Sequence, residues 1–180
     1  MLHRETKLTV YSRLRAYAWL LELGYAGLVM TAISAAILAG AWTFEYFGVK
    51  PCPLCLDERV PYYLAIPAGL IAAWVARPAP KFAALILAVF CLAFLYNSGL
   101  AFYHSGVEWH FWKGPQTCSG ESVELTHSLA NALKHLNPIR CDEASLRILG
   151  LSLAGYNCLI SAAISVFLFV SLRQWVKSAA

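Results

Sequence analysis

Four long uncharged runs, separated by short charged segments, set the plan of this chain. Twenty-two residues without charge lie between Glu22 and Glu45, 17 run from Val60 to Ala76, 22 from Phe82 to Tyr103, and 25 from Ile148 to Leu172. A helix crossing a hydrocarbon core takes about 20 apolar residues, so the pattern predicts transmembrane helices over about 20–45, 60–76, 82–103 and 148–172. The first run exceeds the ~7–15 apolar residues of a cleaved signal peptide and reads as a retained span. The second is at the short end; Pro61 suits its first turn and Pro67 predicts a kink. The last is long enough to tilt. Gly24, Gly27 and Gly40 suit close helix contacts, and Trp42, Phe44, Tyr46 and Phe47 form an interfacial belt.

The polar segments orient these spans. Arg4, Lys7, Arg13, Arg15, Arg77, Lys81, Arg173 and Lys177 all fall on one side: the N-terminal segment, the turn at Arg77–Lys81 and the C-terminal tail. The longer loops, 46–59 and 104–147, hold fewer basic residues and most of the acids. Lys and Arg in short flanking segments mark the cytoplasmic face. Both termini are therefore expected in the cytoplasm, with both loops facing outward. In the second loop, Leu125, Leu129, Leu133 and Leu136 recur at helical spacing, which predicts a short amphipathic helix over Ser119–Leu136 ended by Asn137-Pro138. Trp109-His110-Phe111-Trp112 reads as interfacial. The expected fold is all-α: one membrane-embedded four-helix bundle with two outward loops.

Composition agrees. The chain is 59% hydrophobic and 13% charged, against roughly 45–50% and about 25% for a soluble domain. A net charge of +4 with no basic cluster gives no basis for nucleic-acid binding, and there is no repeat or low-complexity tract.

Chemistry concentrates in cysteines. Cys91 and Cys158 fall inside spans, where a thiol acts as a small apolar side chain. Cys52 and Cys55 lie in one outward loop, Cys118 and Cys141 in the other, on the side where disulfides persist. A Cys-x-x-Cys pair can close and reopen a disulfide by thiolate attack, and two pairs on one face can pass a disulfide between them. The same residues also fit two structural disulfides, or half of a zinc site. Against zinc, the 22 residues between Cys118 and Cys141 do not form a second knuckle. If the chain is helical from Cys55, Arg59 shares its face and favours a thiolate there, while Asp57 and Glu58 oppose it. A disulfide relay also needs an electron sink. No nucleotide or flavin motif is present, and a lipid-soluble quinone is the sink a multispan protein can use. Arg59 and His104, both at the outer membrane edge, are candidates to contact the quinone oxygens; His110, His127 and His135 read as surface residues.

Taken together, Lys50-Pro51-Cys52-Pro53-Leu54-Cys55, Glu58-Arg59, Tyr103-His104, the Cys118/Cys141 pair and Leu149-Gly150-Leu151 resemble the DsbB (disulfide bond formation protein B) family over nearly the whole chain. That resemblance implies a four-helix protein of the bacterial inner membrane. It would reoxidise a periplasmic DsbA-like thioredoxin-fold protein and pass electrons to ubiquinone or menaquinone, and so to the respiratory chain. It implies that Cys118 is attacked by the reduced partner, that Cys141 is its resolving mate, and that Cys52–Cys55 reoxidises them with Cys55 next to the quinone. It places Arg59 and His104 at the quinone; from the cysteine spacing, no metal is expected. Pro61 and Pro67 are not part of the family pattern, and Pro61 sets Arg59 just before the second helix. Two other readings fit fewer of the residues: a non-enzymatic membrane protein whose outer loops are stapled by disulfides or a metal, and a quinone reductase like vitamin K epoxide reductase.

Overall fold

The computed structural model describes residues 2–115, 141–144 and 146–179, with side chains from Glu22 to Ser178. Cys118 and the Ser119–Leu136 segment lie outside the described residues. The elements are α1 (Leu2–Tyr46), α2 (Pro53–Asp57), α3 (Val60–Val75), α4 (Pro80–Glu108), β1 (Arg147–Ile148), β2 (Leu151–Ser152) and α5 (Leu153–Ala179). Helix therefore dominates, and α1, α3, α4 and α5 are the long elements. Glu22–Tyr46, Pro80–Glu108 and Leu153–Ser178 are long and apolar enough to cross a membrane. Helix α3 has 16 residues, which at about 1.5 Å per residue is short of the ~30 Å hydrocarbon core.

Local signals explain the ends. Gly48, at φ 94°, closes α1: its N–H donates to Glu45 O, and the Val49 N–H donates to Phe44 O, turning the chain back. Pro53, Pro61 and Pro80 each occupy a first turn, where a missing N–H costs nothing. Pro67 does not end α3. The last helix starts at Leu153 rather than at Ile148. Leu149 and Gly150, both at positive φ, turn β1 back on β2, pairing Arg147 with Ser152 and Ile148 with Leu151. Ser152 then caps α5, its Oγ accepting the Gly155 N–H at 3.2 Å. At the other boundary α4 runs on to Glu108, so His104 is helical.

Helix α1 packs on α3, and α4 on α5, with further contacts of α3 on α4 and α1 on α5. Gly27 and Gly69 let α1 and α3 approach: a Cβ built at Gly27 would lie 2.6 Å from the Gly69 carbonyl. A Cβ built at Gly40, by contrast, would meet nothing within 4 Å among the described residues. On α4 the buried positions Ala83, Leu87, Cys91, Phe94, Asn97, Ala101 and His104 follow steps of three and four, one inward face. The outward positions Leu85, Leu92, Leu95 and Phe102 are equally apolar, as a helix bordered by lipid requires. The inward face carries His104 into a second, smaller core at one end of the helices, built from Cys52, Leu54, Val107 and Cys141.

Candidate functional site

Cys52 is the N-cap residue of α2, and its position follows from ordinary capping. The backbone at Cys52 is extended, Pro53 begins the turn, and Cys52 Sγ accepts the Cys55 N–H at 3.1 Å. That turn also brings Cys55 Sγ to 2.6 Å from Cys52 Sγ. Both are free thiols, whereas Cys141 is disulfide-bonded. The sulfurs of Cys52 and Cys141 and a ring nitrogen of His104 all lie within 4.8 Å of one another. The three could also border a metal ion, but a thiolate is the competent sulfur ligand, and Cys141 has committed its sulfur to a disulfide. The arrangement instead sets Cys52 between a thiol partner and a disulfide, the geometry that exchange needs.

The two thiols are not equivalent. The Cys55 S–H and, more weakly, the Cys55 backbone N–H stabilise a Cys52 thiolate and pull its pKa below the ordinary thiol value, against the opposing effect of burial. Donating to Cys52, burial and the adjacent Cys52 charge push Cys55 far up. Of the two thiols, Cys52 is therefore the readier to lose its proton.

Behind Cys52 lies a buried polar chain. His104, 2% exposed, sets Nε2 3.5 Å from Cys52 Sγ, and its Nδ1–H donates to Glu58 Oε1 at 2.7 Å. Glu58 is 5% exposed, and its Oε2 accepts from Asn157 Nδ2 at 2.7 Å. Asn157 Oδ1 in turn accepts the Tyr62 hydroxyl at 2.6 Å. A buried carboxylate is tolerated only when so paired. Its bond to Nδ1 sets the tautomer of His104, leaving the Nε2 lone pair for the Cys52 S–H. Glu108, one turn on along α4, places Oε1 3.9 Å from His104 Nε2, and its Oε2 has no hydrogen-bond partner among the described residues.

In front of Cys55 opens a cavity of about 460 Å³. Ile37 and Phe44 of α1 and Ala154 and Ile160 of α5 form apolar wall, and Cys55, Glu58, Arg59, Tyr62, Glu108 and Asn157 bring polar atoms to it. Arg59 is the N-cap residue of α3, with no capping bond from its side chain. Its Nη1 pairs with Glu45 Oε1 from the end of α1. Cys55 and Arg59 thus meet at one cavity. His104 is not among the lining residues; it lies behind Cys52, one hydrogen bond from Glu58 in the cavity wall. Cys91, which donates weakly to Ser165 O, and Cys158, beside Ser98, sit in the helix packing away from the site.

Glu58, Asn157 and Glu108 were not legible as site residues in the sequence. Glu58 enters there as a charge opposing a thiolate and as the first half of the Glu58-Arg59 motif, with no role of its own, and Asn157 as one polar residue in an apolar run. A signal exists only in combination: an acid directly before Arg59 and an amide inside a span both need buried partners, and each supplies the other's.

The fold and the site together give a helical protein with three helices long and apolar enough to cross a membrane and a dithiol at one end of its helices. The chain belongs to the DsbB family: the family model described as disulfide bond formation protein DsbB matches residues 24–171. A relative in Rickettsia prowazekii (strain Madrid E), an uncharacterized protein, is 30% identical over 148 residues, covering 78% of this chain and 83% of its own. No solved structure matches the chain. Family membership makes it an oxidoreductase of disulfide-bond formation.

Proposed function

We propose that the protein is a thiol:quinone oxidoreductase of the bacterial inner membrane, with both termini cytoplasmic and the cysteine loops in the periplasm. In this reading four helices form the transmembrane bundle. A DsbA-like thioredoxin-fold protein gives its electrons to Cys118–Cys141, from which they pass to Cys52–Cys55 and on to ubiquinone or menaquinone in the membrane pool. The observation that carries it is the placement of Cys52 beside disulfide-bonded Cys141 while its mate Cys55 borders an apolar cavity with Arg59.

The exchange balances on the chain's own sulfurs. After the partner has reduced the outer pair, the Cys141 thiolate attacks Cys52 Sγ; the Cys141–Cys52 bond forms, the Cys52–Cys55 bond breaks, and Cys55 leaves as thiolate. Cys118 then attacks Cys141, closing the outer disulfide and releasing Cys52. Cys141 disulfide-bonded with Cys52 and Cys55 free is the state this sequence leaves behind. The cavity suits a quinone ring: its walls are mostly apolar, and the guanidinium of Arg59 offers fixed donors for a carbonyl oxygen. A bound quinone supplies a two-electron, two-proton acceptor. Arg59 holds and polarises it, and Cys55 faces it.

The order of attack is tested by trapping. Cys118→Ser should abolish exchange with the soluble partner. Cys141→Ser should accumulate a mixed disulfide between Cys118 and the partner, because the resolving thiol is gone. Non-reducing gels and peptide mapping read this directly, and a partner trapped on Cys52 with Cys118 intact would reverse the order. Cys91→Ala and Cys158→Ala should turn over normally.

A further inference from the structure

We propose that His104 and Glu58 form a proton path from the Cys52 thiol to the cavity, so that the proton lost by Cys52 reaches the place its electron reaches. The inference rests on the quinone reading above. Its geometry is a continuous chain: Cys52 Sγ to His104 Nε2 at 3.5 Å, His104 Nδ1 to Glu58 Oε1 at 2.7 Å, and Glu58 itself in the cavity wall. The imidazole takes a proton on Nε2 and releases one from Nδ1, so charge crosses the ring without the ring turning. Glu58 accepts that proton and passes it into the cavity, held in place by Asn157 through its other oxygen.

The balance is complete without any further reactant. Two thiols become one disulfide, releasing two electrons and two protons; the acceptor is the quinone, which takes up both. Cys55 already borders the cavity and can deliver its own proton there, whereas Cys52 is buried behind it and does not line the wall. In such a low-dielectric site, separating charge by a few ångströms is costly, so the Cys52 proton needs a route.

The groups facing His104 are Cys52, Cys55 and Glu58 from the segment around α2, Glu108 on its own helix, and disulfide-bonded Cys141. Helix α5 adds the neutral Asn157 behind Glu58, and Arg147 lies beyond Glu108, donating to its backbone carbonyl. Glu108 also lines the cavity, but at 3.9 Å from Nε2 it is outside hydrogen-bond reach of the ring.

The test uses the full-length protein in detergent, prereduced at Cys52–Cys55, with decylubiquinone as the probe. Glu58→Gln keeps the shape and the contact with Asn157 but cannot carry a proton. It should slow quinone reduction about a hundredfold, the usual contribution of a positioned acid–base group, with KM within about twofold of the parent. The variant's rate should become sensitive to deuterium oxide and lose the parent's pH profile, and Glu58→Asp should restore part of it. In quinone-free protein, proton and nitrogen NMR should show the strongly deshielded Nδ1–H of His104, absent in Glu58→Gln. An unchanged rate and pH profile in Glu58→Gln would overturn the path while leaving the quinone reading intact. So would a loss confined to KM, with no isotope effect, which is what a purely structural Glu58 gives. A parent protein that exchanges disulfides normally yet does not reduce decylubiquinone would overturn the quinone reading itself, and the path with it.

Discussion

Asn157 of α5 donates to Glu58 Oε2 at 2.7 Å, joining the last helix to the link between α2 and α3 across 99 residues of chain. The same amide accepts from Tyr62, which also meets Ser161 at 2.9 Å, and Ser161 accepts from Asn97 of α4. Three helices are thereby keyed to one buried carboxylate. Asn157→Leu should leave Glu58 with an unpaired buried oxygen and destabilise the protein by about 1–3 kcal/mol. Unfolding of the detergent-solubilised variant, followed by circular dichroism, measures it; an unchanged transition would show that Glu58 finds another donor.

The two thiols of the Cys-x-x-Cys pair should titrate in a fixed order. The Cys55 S–H and N–H both point to Cys52 Sγ and lower its pKa, while Cys55 is raised. The thiolate is therefore present above a pKa lower than the ordinary thiol value and is lost as pH falls through it. In the quinone-free dithiol form, ultraviolet thiolate absorbance should report one thiolate appearing below the usual thiol range. Cys52→Ser should remove it. Cys55→Ser should retain most of it, because a serine hydroxyl donates in place of the thiol. Loss in Cys55→Ser but not in Cys52→Ser would assign the thiolate to the other sulfur.

Arg59 is tied to Glu45 and borders the cavity, so its two roles can be separated. Arg59→Ala should raise the apparent quinone KM tenfold or more, since a charged hydrogen bond contributes about 1.5–3 kcal/mol. Arg59→Lys, which keeps charge but not the planar fork, should do nearly the same. Exchange with the soluble partner, measured anaerobically without quinone, should stay near normal. Glu45→Gln should change KM much less, because the guanidinium stays. An unchanged KM in folded Arg59→Ala would leave Arg59 only as an anchor for α3.

Gly27 faces the Gly69 carbonyl where α1 crosses α3. Gly27→Ala puts a methyl group 2.6 Å from that backbone oxygen, and neither helix can relieve it by turning a side chain. Overpacking of this kind costs about 1–3 kcal/mol. The methyl group of Gly40→Ala meets nothing within 4 Å among the described residues, and the change should be neutral in stability. Thermal unfolding of the two variants side by side tests the pair, and equal midpoints would remove the close contact.

The sequence by itself determined the helical, membrane-embedded class, because lipid demands long uncharged runs and charge can sit only between them. It also marked Cys52 and Cys55 as a pair that meets, since a two-residue spacing is a local property that a single turn converts into sulfur contact. A helix start was legible where proline governed it, as at Pro61, and not at Leu149-Gly150, where a short hairpin replaces the expected first turn of the last helix. Only the tertiary structure decided the rest. All faces of α4 are apolar, so periodicity could not show that His104 points inward; lipid and protein interior select the same residue types. Glu58, His104 and Asn157 come from three elements separated by 46 and 99 residues, and no local spacing encodes their meeting. Arg59 shares a cavity with Cys55 as its four-residue spacing suggested, but its ion pair with Glu45 arises from the packing of α1 beside α3. Burial then does what composition cannot: it turns an acid that looked like an opposing surface charge into the partner of a histidine.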